Sequence, residues 1–526
     1  MPFRFQSCSR LQVSRRPLSP PHQPSCHHPP SRVQLPTKRT FTSTPRRREL
    51  LDVSSLPNRI LPQYKENPSG LLSLQWPEPP RNVLIVPKLL APHVTEAAVS
   101  FARYIASEYP GLRLIFERGV AEAVHDLLPF PVYTSDRPPT TAFPDKIDLV
   151  ATLGGDGTIL RAASLFSLHA FVPPILAFSM GSLGFLGEWK FEEYKRAWRE
   201  VYMSGSRVAV TDLQGPHTQT AAAATGVGDQ QTDGNDGEKL NDAWSGVRGK
   251  SMGTNRSARV MLRNRLKVGV YDSSGANVNE HLMPTSTSTS TTPQNLAAAT
   301  PGYNSPAGTF HAINELVIHR GPNPHLAYID VFVNGHHLTE AVADGLLVST
   351  PTGSTAYSLS AGGSIVHPLV KALLLTPICA RSLSFRPLVL PLNSRVTLRL
   401  GARHRGDRRG LEVSVDGKRR AGVDFGPGTE IRVEGERIVP AAGGGGAWVG
   451  GVPCVIRSRS PRSSIRSSGI RGGGADAATT TNGSTVAGEK GGHKDAAGDT
   501  IITEDDDGWV GGLNGLLKFN YPFGEE

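Results

Sequence analysis

Cysteine is scarce. The 526 residues hold four, Cys8, Cys26, Cys379 and Cys454, at spacings that suit neither a disulfide framework nor a zinc site. No uninterrupted apolar run reaches the ~18 residues a membrane-spanning helix needs. Acidic residues are absent from residues 1–48, which carry ten of the chain's 56 Lys and Arg. The rest balances, 46 basic against 46 acidic residues, so the formal charge of +10 belongs to the N-terminal segment. That balance disfavours a nucleic-acid-binding surface, which needs a clustered basic excess, and the lack of a long apolar run disfavours residence in a membrane.

What the first 48 residues do contain is Arg, Ser and Pro, the composition of a mitochondrial transit peptide, without the apolar stretch of a secretory signal. Arg39-Thr40-Phe41-Thr42-Ser43 resembles a matrix-peptidase cleavage region. Residues 1–48 are therefore expected to be a transit peptide, with a mature start near 41–49 and a destination in the mitochondrial matrix.

From residue 81 onwards strands and helices alternate. Arg81–Val86, Leu112–Phe116, Ile147–Leu153 and Ile175–Phe178 read as buried strands, with helices expected at 93–108, 119–127, after 155, and at 191–203. This pattern predicts a mostly parallel sheet covered on both faces, an N-terminal Rossmann-like α/β domain over 49–206. Past residue 206 short Val/Leu/Ile-rich runs recur without helices, at 258–271, 313–319, 328–334, 346–349, 395–400, 411–415 and 429–433. They predict a β-rich domain, a β-sandwich, over 207–454. Residues 212–256, 272–307 and 455–503 are Gly, Ser, Thr, Ala and Asn-rich and bury too little apolar surface to order; they are expected to be two disordered insertions and a low-complexity linker. Trp509, Leu513, Leu516 and Leu517 then have helical spacing, so 504–526 is expected to return to the N-terminal domain.

Three constellations carry chemistry. Gly154-Gly155-Asp156-Gly157-Thr158 lies directly between a strand and a helix. Glycines let a phosphate approach the backbone amides, and a helix N-terminus favours negative charge. An Asp in an anion-binding turn makes sense as the acceptor of a hydroxyl proton during phosphoryl transfer, although an isolated Gly-Asp-Gly also serves simply to cap a helix. Second, residues 350–363 (TPTGSTAYSLSAGG) are mostly small. Small residues let a flat ligand lie on the main chain, hydroxyls supply directed hydrogen bonds, and Tyr357 offers a ring face for a base or nicotinamide. Third, Asn314-Glu315 opens an apolar run; an amide beside a carboxylate can grip two ribose hydroxyls, or can simply begin a strand. Asp344, in Ala343-Asp344-Gly345, is similarly a turn residue or a ligand-facing carboxylate.

Together GGDGT (154–158), GSLGFL (181–186), NELVIHRG (314–321), ADG (343–345), TPTGSTAYSLSAGG (350–363) and TPICARSLSFRPLVLP (376–391) resemble the NAD kinase family, and within it the fungal mitochondrial NADH kinases. The likeness covers about residues 72–211 and 308–435, with a stretch near 507–520. It implies ATP-dependent phosphorylation of the adenosine 2′-hydroxyl of NAD(H) to NADP(H), with an NADH preference and an active site between the two domains. It implies Asp156 as the catalytic proton acceptor. Nucleotide contacts would come from Gly154, Gly155, Gly157, Thr158, Asn314, Glu315, His325, Asp344, Thr355, Ala356, Tyr357 and Ser360. ATP with Mg²⁺ or another divalent cation is the expected cofactor, with no protein metal ligands assigned. The expected partners are the two substrates and further copies of the chain. Two positions depart from the family pattern: Val342 stands where an Arg is frequent, and Lys418 where a Gln is frequent.

Two other functions share part of this pattern. A lipid or diacylglycerol-type kinase also uses a GGDGT turn, but leaves the Asn314-Glu315 pair and the 350–363 segment without a task. A catalytically silent NAD(H) sensor would have no use for Asp156.

Overall fold

The computed structural model describes residues 49–205 apart from 110, 182 and 183, then 257–278, 300, 309–401 apart from 323, 411–420, 427–442 and 446–457. The expected transit peptide, the 212–256 insertion, most of the 272–307 insertion, nearly all of 455–503 and the expected 504–526 return lie outside these residues.

The first sheet has eleven strands. Its parallel part runs Leu50–Asp52, Val132–Thr134, Arg113–Ile115, Asn82–Pro87, Leu149–Gly154, Ile175–Ser179 and Val452–Ile456. Arg259–Arg263, Leu72–Gln75 and Gln63–Glu66 continue it antiparallel, and the eleventh strand, Trp189–Lys190, pairs with the end of Ile175–Ser179. Alternate side chains leave opposite faces, as the continuous apolar strands require. Val83, Ile85 and Ala151 pack with the helices Pro92–Glu108 and Tyr194–Tyr202, while Leu84, Val86 and Val150 pack with the helix Asp156–Ser164.

Two six-stranded antiparallel sheets form the β-rich part. One runs Phe310–Ala312, Leu266–Tyr271, Glu430–Gly435, Val396–Leu400, Ala327–Val333 and His336–Ala343. The other runs Leu388–Pro391, Ala372–Ile378, Gly345–Ser349, Glu315–His319, Glu412–Val415 and Lys418–Arg419. Their inner faces share one apolar core, with Val268, Ile329, Leu398 and Ile431 meeting Leu316, Ile318, Val348 and Val413. This is the sandwich that the short alternating runs implied.

The boundary between the parts is not at residue 206. The expected run 258–271 breaks at Asn264-Arg265: its first half joins the first sheet and its second half the sandwich. Val452–Ile456, which spans the end of the expected β-rich domain and the start of the expected linker, is fully buried and pairs with Ile175–Ser179. The physical reason is the otherwise open edge at Ile175–Ser179, where unpaired amides and carbonyls must find partners.

A buried cross-link ties the two parts where the chain crosses. Arg265 grips Glu436 with two hydrogen bonds, Nε to Oε2 at 2.7 Å and Nη2 to Oε1 at 2.6 Å, and also donates to the His169 carbonyl at 2.9 Å. Burial raises the Glu436 carboxyl, but Arg265 and then His311 outweigh it and hold the group down to about 2. The Gly451 amide donates a further bond to Glu436 at 2.8 Å.

Candidate active site

In the first sheet the chain leaves Asn82–Pro87 for one side and Leu149–Gly154 for the other, so the crevice beyond these two strand ends is the topological switch point where open α/β sheets take ligands. Gly154 and Gly155 lie there. A Cβ on Gly154 would collide with Thr158 Oγ1 and press on Lys88, whereas nothing lies within 4 Å of a Cβ at Gly155 or Gly157. The turn is thus packed tightly on its inner side and open at the next residues, as amides facing an anion must be. Asp156 is the first residue of the helix Asp156–Ser164, and its carboxylate accepts from the Phe185 amide at 2.9 Å and the Leu186 amide at 3.1 Å. A Cβ at Gly184 would overlap that carboxylate. The GSLGFL stretch is therefore the seat of Asp156, and its second glycine is what lets the carboxylate in.

The second half of the site lies at one end of the sandwich. Glu315 pairs with Ser349, so Asn314-Glu315 and the start of the 350–363 segment are neighbours. The Thr350 amide donates to the Asn314 carbonyl at 2.9 Å, and a side chain at Gly353 would run into that same carbonyl. Beneath them sits Asp416, a further residue of the site. Its carboxylate accepts from the amides of Ile313 at 3.0 Å, Asn314 at 2.7 Å and Glu315 at 3.2 Å. Asn314 is 7% exposed and Glu315 5% exposed, yet among the described residues no hydrogen-bond partner meets the buried Asn314 Oδ1 or Glu315 Oε2. Such orphans are rare because each costs the group's full desolvation. Burial first, and then the neighbouring Asp416, push the Glu315 carboxyl up to about 8.

The other expected contacts are distributed differently. The segment 352–360 folds as a short 3₁₀ turn, Thr352–Thr355, and one helical turn, Tyr357–Ser360, with Ala361 covering the outer-face cluster of Val317, Leu347 and Ile378. Its buried hydroxyls hold the segment itself: Ser354 Oγ donates to the Pro351 carbonyl at 2.6 Å and accepts from the Val366 amide at 3.0 Å, and Ser358 Oγ lies 2.9 Å from Thr376 Oγ1. Thr355 Oγ1 bonds the Thr352 carbonyl at 3.2 Å, and Ala356 is half-buried. Tyr357 and Ser360 are the exposed members. Asp344 lies just before the strand that starts at Gly345, roughly 17 Å from the Ser349 end at ~3.3 Å per residue. There its carboxylate receives Arg320 Nε at 2.6 Å. His325 is exposed on the same edge, just before Ala327, which pairs with Ala343. The Tyr357 phenol is raised by burial, then by Cys379 and Asp344 beside it. The expected residues thus form two groups, one around Asn314-Glu315 and one around Asp344, with the 352–360 segment running between them.

One residue joins both halves. Arg263, at the end of the strand Arg259–Arg263, donates from Nη2 to the Phe185 carbonyl at 3.2 Å and from Nη1 to Thr352 Oγ1 at 3.4 Å. Arg263 had no local signal, being an ordinary residue at a strand end, whereas Asp416 stands with Gly417 in the two-residue turn between Glu412–Val415 and Lys418–Arg419, both at positive φ. Lys418, at the position where the family pattern departs, reaches Ser164 Oγ on the helix of Asp156 at 3.1 Å.

Residues 83–206 match the ATP-NAD kinase N-terminal domain and residues 313–437 the ATP-NAD kinase C-terminal domain. The chain is 33% identical over 414 residues to the mitochondrial NADH kinase pos5 of Schizosaccharomyces pombe, covering 77% of this chain and 80% of that one. It is 34% identical over 367 residues to the mitochondrial NADH kinase POS5 of Saccharomyces cerevisiae, covering 68% and 69%. The crystal structure of yeast NADH kinase complexed with NADH superposes with a TM-score of 0.55 at 31% identity, over 78% of this chain and 93% of that one.

Proposed function

The chain belongs to the NAD kinase family, and on that premise we propose that it transfers the γ-phosphoryl group of ATP to the adenosine 2′-hydroxyl of NAD(H), with Asp156 taking up the hydroxyl proton. The observation that carries the reading is the pair of buried oxygens on Asn314 and Glu315 that have no hydrogen-bond partner among the described residues. A ribose presents hydroxyls that can bond to both. A Glu315 carboxyl that keeps its proton near neutral pH can donate as well as accept.

Phosphoryl transfer passes through a loose transition state, so position and charge supply most of the acceleration. Gly154, Gly155, Gly157 and Thr158 would hold phosphate oxygens with amides and a hydroxyl. Asp156, oriented by two amides, would add about 10²–10⁴-fold as general base. Thr355, Ala356, Tyr357 and Ser360 would line the path of the dinucleotide towards His325 and Asp344, a separation that suits a ligand with two nucleosides. Mg²⁺ or another divalent cation, held chiefly by the triphosphate oxygens and water, would neutralise charge on the phosphates. Among the described residues no group of three or more His, Cys, Asp and Glu side chains could hold a metal ion.

The leader composition and the mitochondrial relatives support import into the matrix. Exposed Leu338, Leu383 and Val389 leave apolar surface that a second copy of the chain would cover. The test is an assay of the purified protein with ATP and, separately, NAD⁺, NADH and a diacylglycerol. NADP(H) is the expected product; phosphorylation of the diacylglycerol alone would overturn the reading.

A further inference from the structure

Arg263 is 1% exposed, and among the described residues no carboxylate forms an ion pair with it. A buried guanidinium without a counter-charge is costly, so its place must be explained by what it touches. It donates to two neutral oxygens, one in each half of the site, and its side chain also hydrogen-bonds the Cys454 thiol.

The first contact leads to Asp156. The Phe185 carbonyl, which accepts from Arg263, shares a peptide unit with the Leu186 N–H, which donates to Asp156 Oδ1 at 3.1 Å. A cation at the oxygen end of a peptide polarises it and strengthens donation at the nitrogen end. The second contact leads to the ligand side. Thr352 opens the turn whose Gly353 packs against the Asn314 carbonyl. The guanidinium fork is suited to this because it is planar and directs its donors at fixed angles, which a lysine ammonium does not.

We propose that Arg263 is a positioning residue for the phosphoryl transfer, holding Asp156 through the Phe185–Leu186 peptide and, at the same time, setting the Thr352 turn at a fixed distance from it. This rests on the reading of Asp156 as the proton acceptor. Arg263 itself touches no reacting atom; it acts through the two groups it holds.

The experiment compares kcat and KM for ATP and NADH in the full chain, Arg263→Met, Arg263→Lys, Asp156→Asn and the double variant Arg263→Met/Asp156→Asn. Arg263→Met is expected to lower kcat by about ten- to a hundredfold, since a displacement of about 1 Å costs that much, with KM for ATP nearly unchanged. Arg263→Lys should recover part of the loss. In the Asp156→Asn background, where no base remains to be positioned, the second substitution should cost less than about threefold. An equal loss in both backgrounds, or a loss confined to KM, overturns the proposal. Should Arg263→Met fail to fold, Arg263→Lys and Thr352→Val carry the same comparison, each expected to lose kcat in the Asp156 background and little beyond it. Near-normal turnover of Asp156→Asn alone would instead remove the base, a result separate from any failure of coupling to Arg263.

Discussion

Asp416 and Glu315 are tied by two reciprocal hydrogen bonds: the Glu315 amide donates to the Asp416 carboxylate Oδ1 at 3.2 Å, and the Asp416 amide donates to the Glu315 carbonyl at 3.0 Å. Two buried carboxyls are thereby held side by side. Burial raises both, and Asp416 spends its oxygens on three amides while Glu315 keeps one oxygen without a partner.

The Glu315 carboxyl, ordinarily near 4.5 and here pushed up to about 8, makes stability depend on pH. Between those values the folded state holds a proton that the unfolded state releases, so stability is full below about 4.5 and is lost as pH rises to about 8. Glu315→Gln removes the titrating group. Its stability should be flatter over that window and exceed that of the parent at pH 8.5 by a few kcal/mol, measured by urea unfolding. Parallel pH profiles for the two proteins would show that Glu315 is ionised throughout.

Asp416→Ala strips acceptors from three amides at once. It should lower stability by about 2–4 kcal/mol and raise KM for NAD(H) more than KM for ATP, because the strand start carrying Asn314 and Glu315 loses its anchor. A uniform rise in both KM values would place Asp416 elsewhere in the mechanism.

Asp156→Asn should leave the cooperative melt and NAD(H) binding nearly intact while kcat falls by at least about a hundredfold. Steady-state kinetics alongside calorimetric titration with NADH separate the two effects. Weak binding together with slow turnover would point to a ligand-holding role instead.

The nicotinamide ring is cationic in NAD⁺ and neutral in NADH. With Glu315 protonated near neutral pH, the site offers the cation one carboxylate fewer, and Tyr357 and the small residues beside it are uncharged. The ratio of kcat/KM for NADH over NAD⁺ is expected to be about ten at pH 7, since one weak charge contact is worth ~1 kcal/mol, and to shrink above pH 8 as Glu315 ionises. A ratio of one or below at pH 7 would remove the preference.

Deleting residues 1–48 removes ten basic residues and no acidic one. The shortened protein should keep its activity in vitro and lose mitochondrial import, followed by fluorescence imaging of a tagged chain. Retained import would place the address elsewhere in the sequence.

The sequence by itself determined what local rules control. Leu149–Gly154 is a buried, mostly apolar strand, glycines at 154, 155 and 157 make the turn, and Asp156 then heads the following helix. The 350–363 segment declared itself because small residues and hydroxyls stand between core strands, and the alternation of Val and Leu runs announced a sandwich. Only the tertiary structure decided the rest. That 258–271 would divide between two sheets depended on an open edge at Ile175–Ser179 and on where Val452–Ile456 came back to pair. Asp416 caps amides about a hundred positions earlier, and Arg263 spans Phe185 and Thr352 from a third place in the chain. The protonation of Glu315 follows from burial beside Asp416. A carboxyl's charge is set by the solvent it loses and the neighbours it gains, and neither is written in the residues next to it.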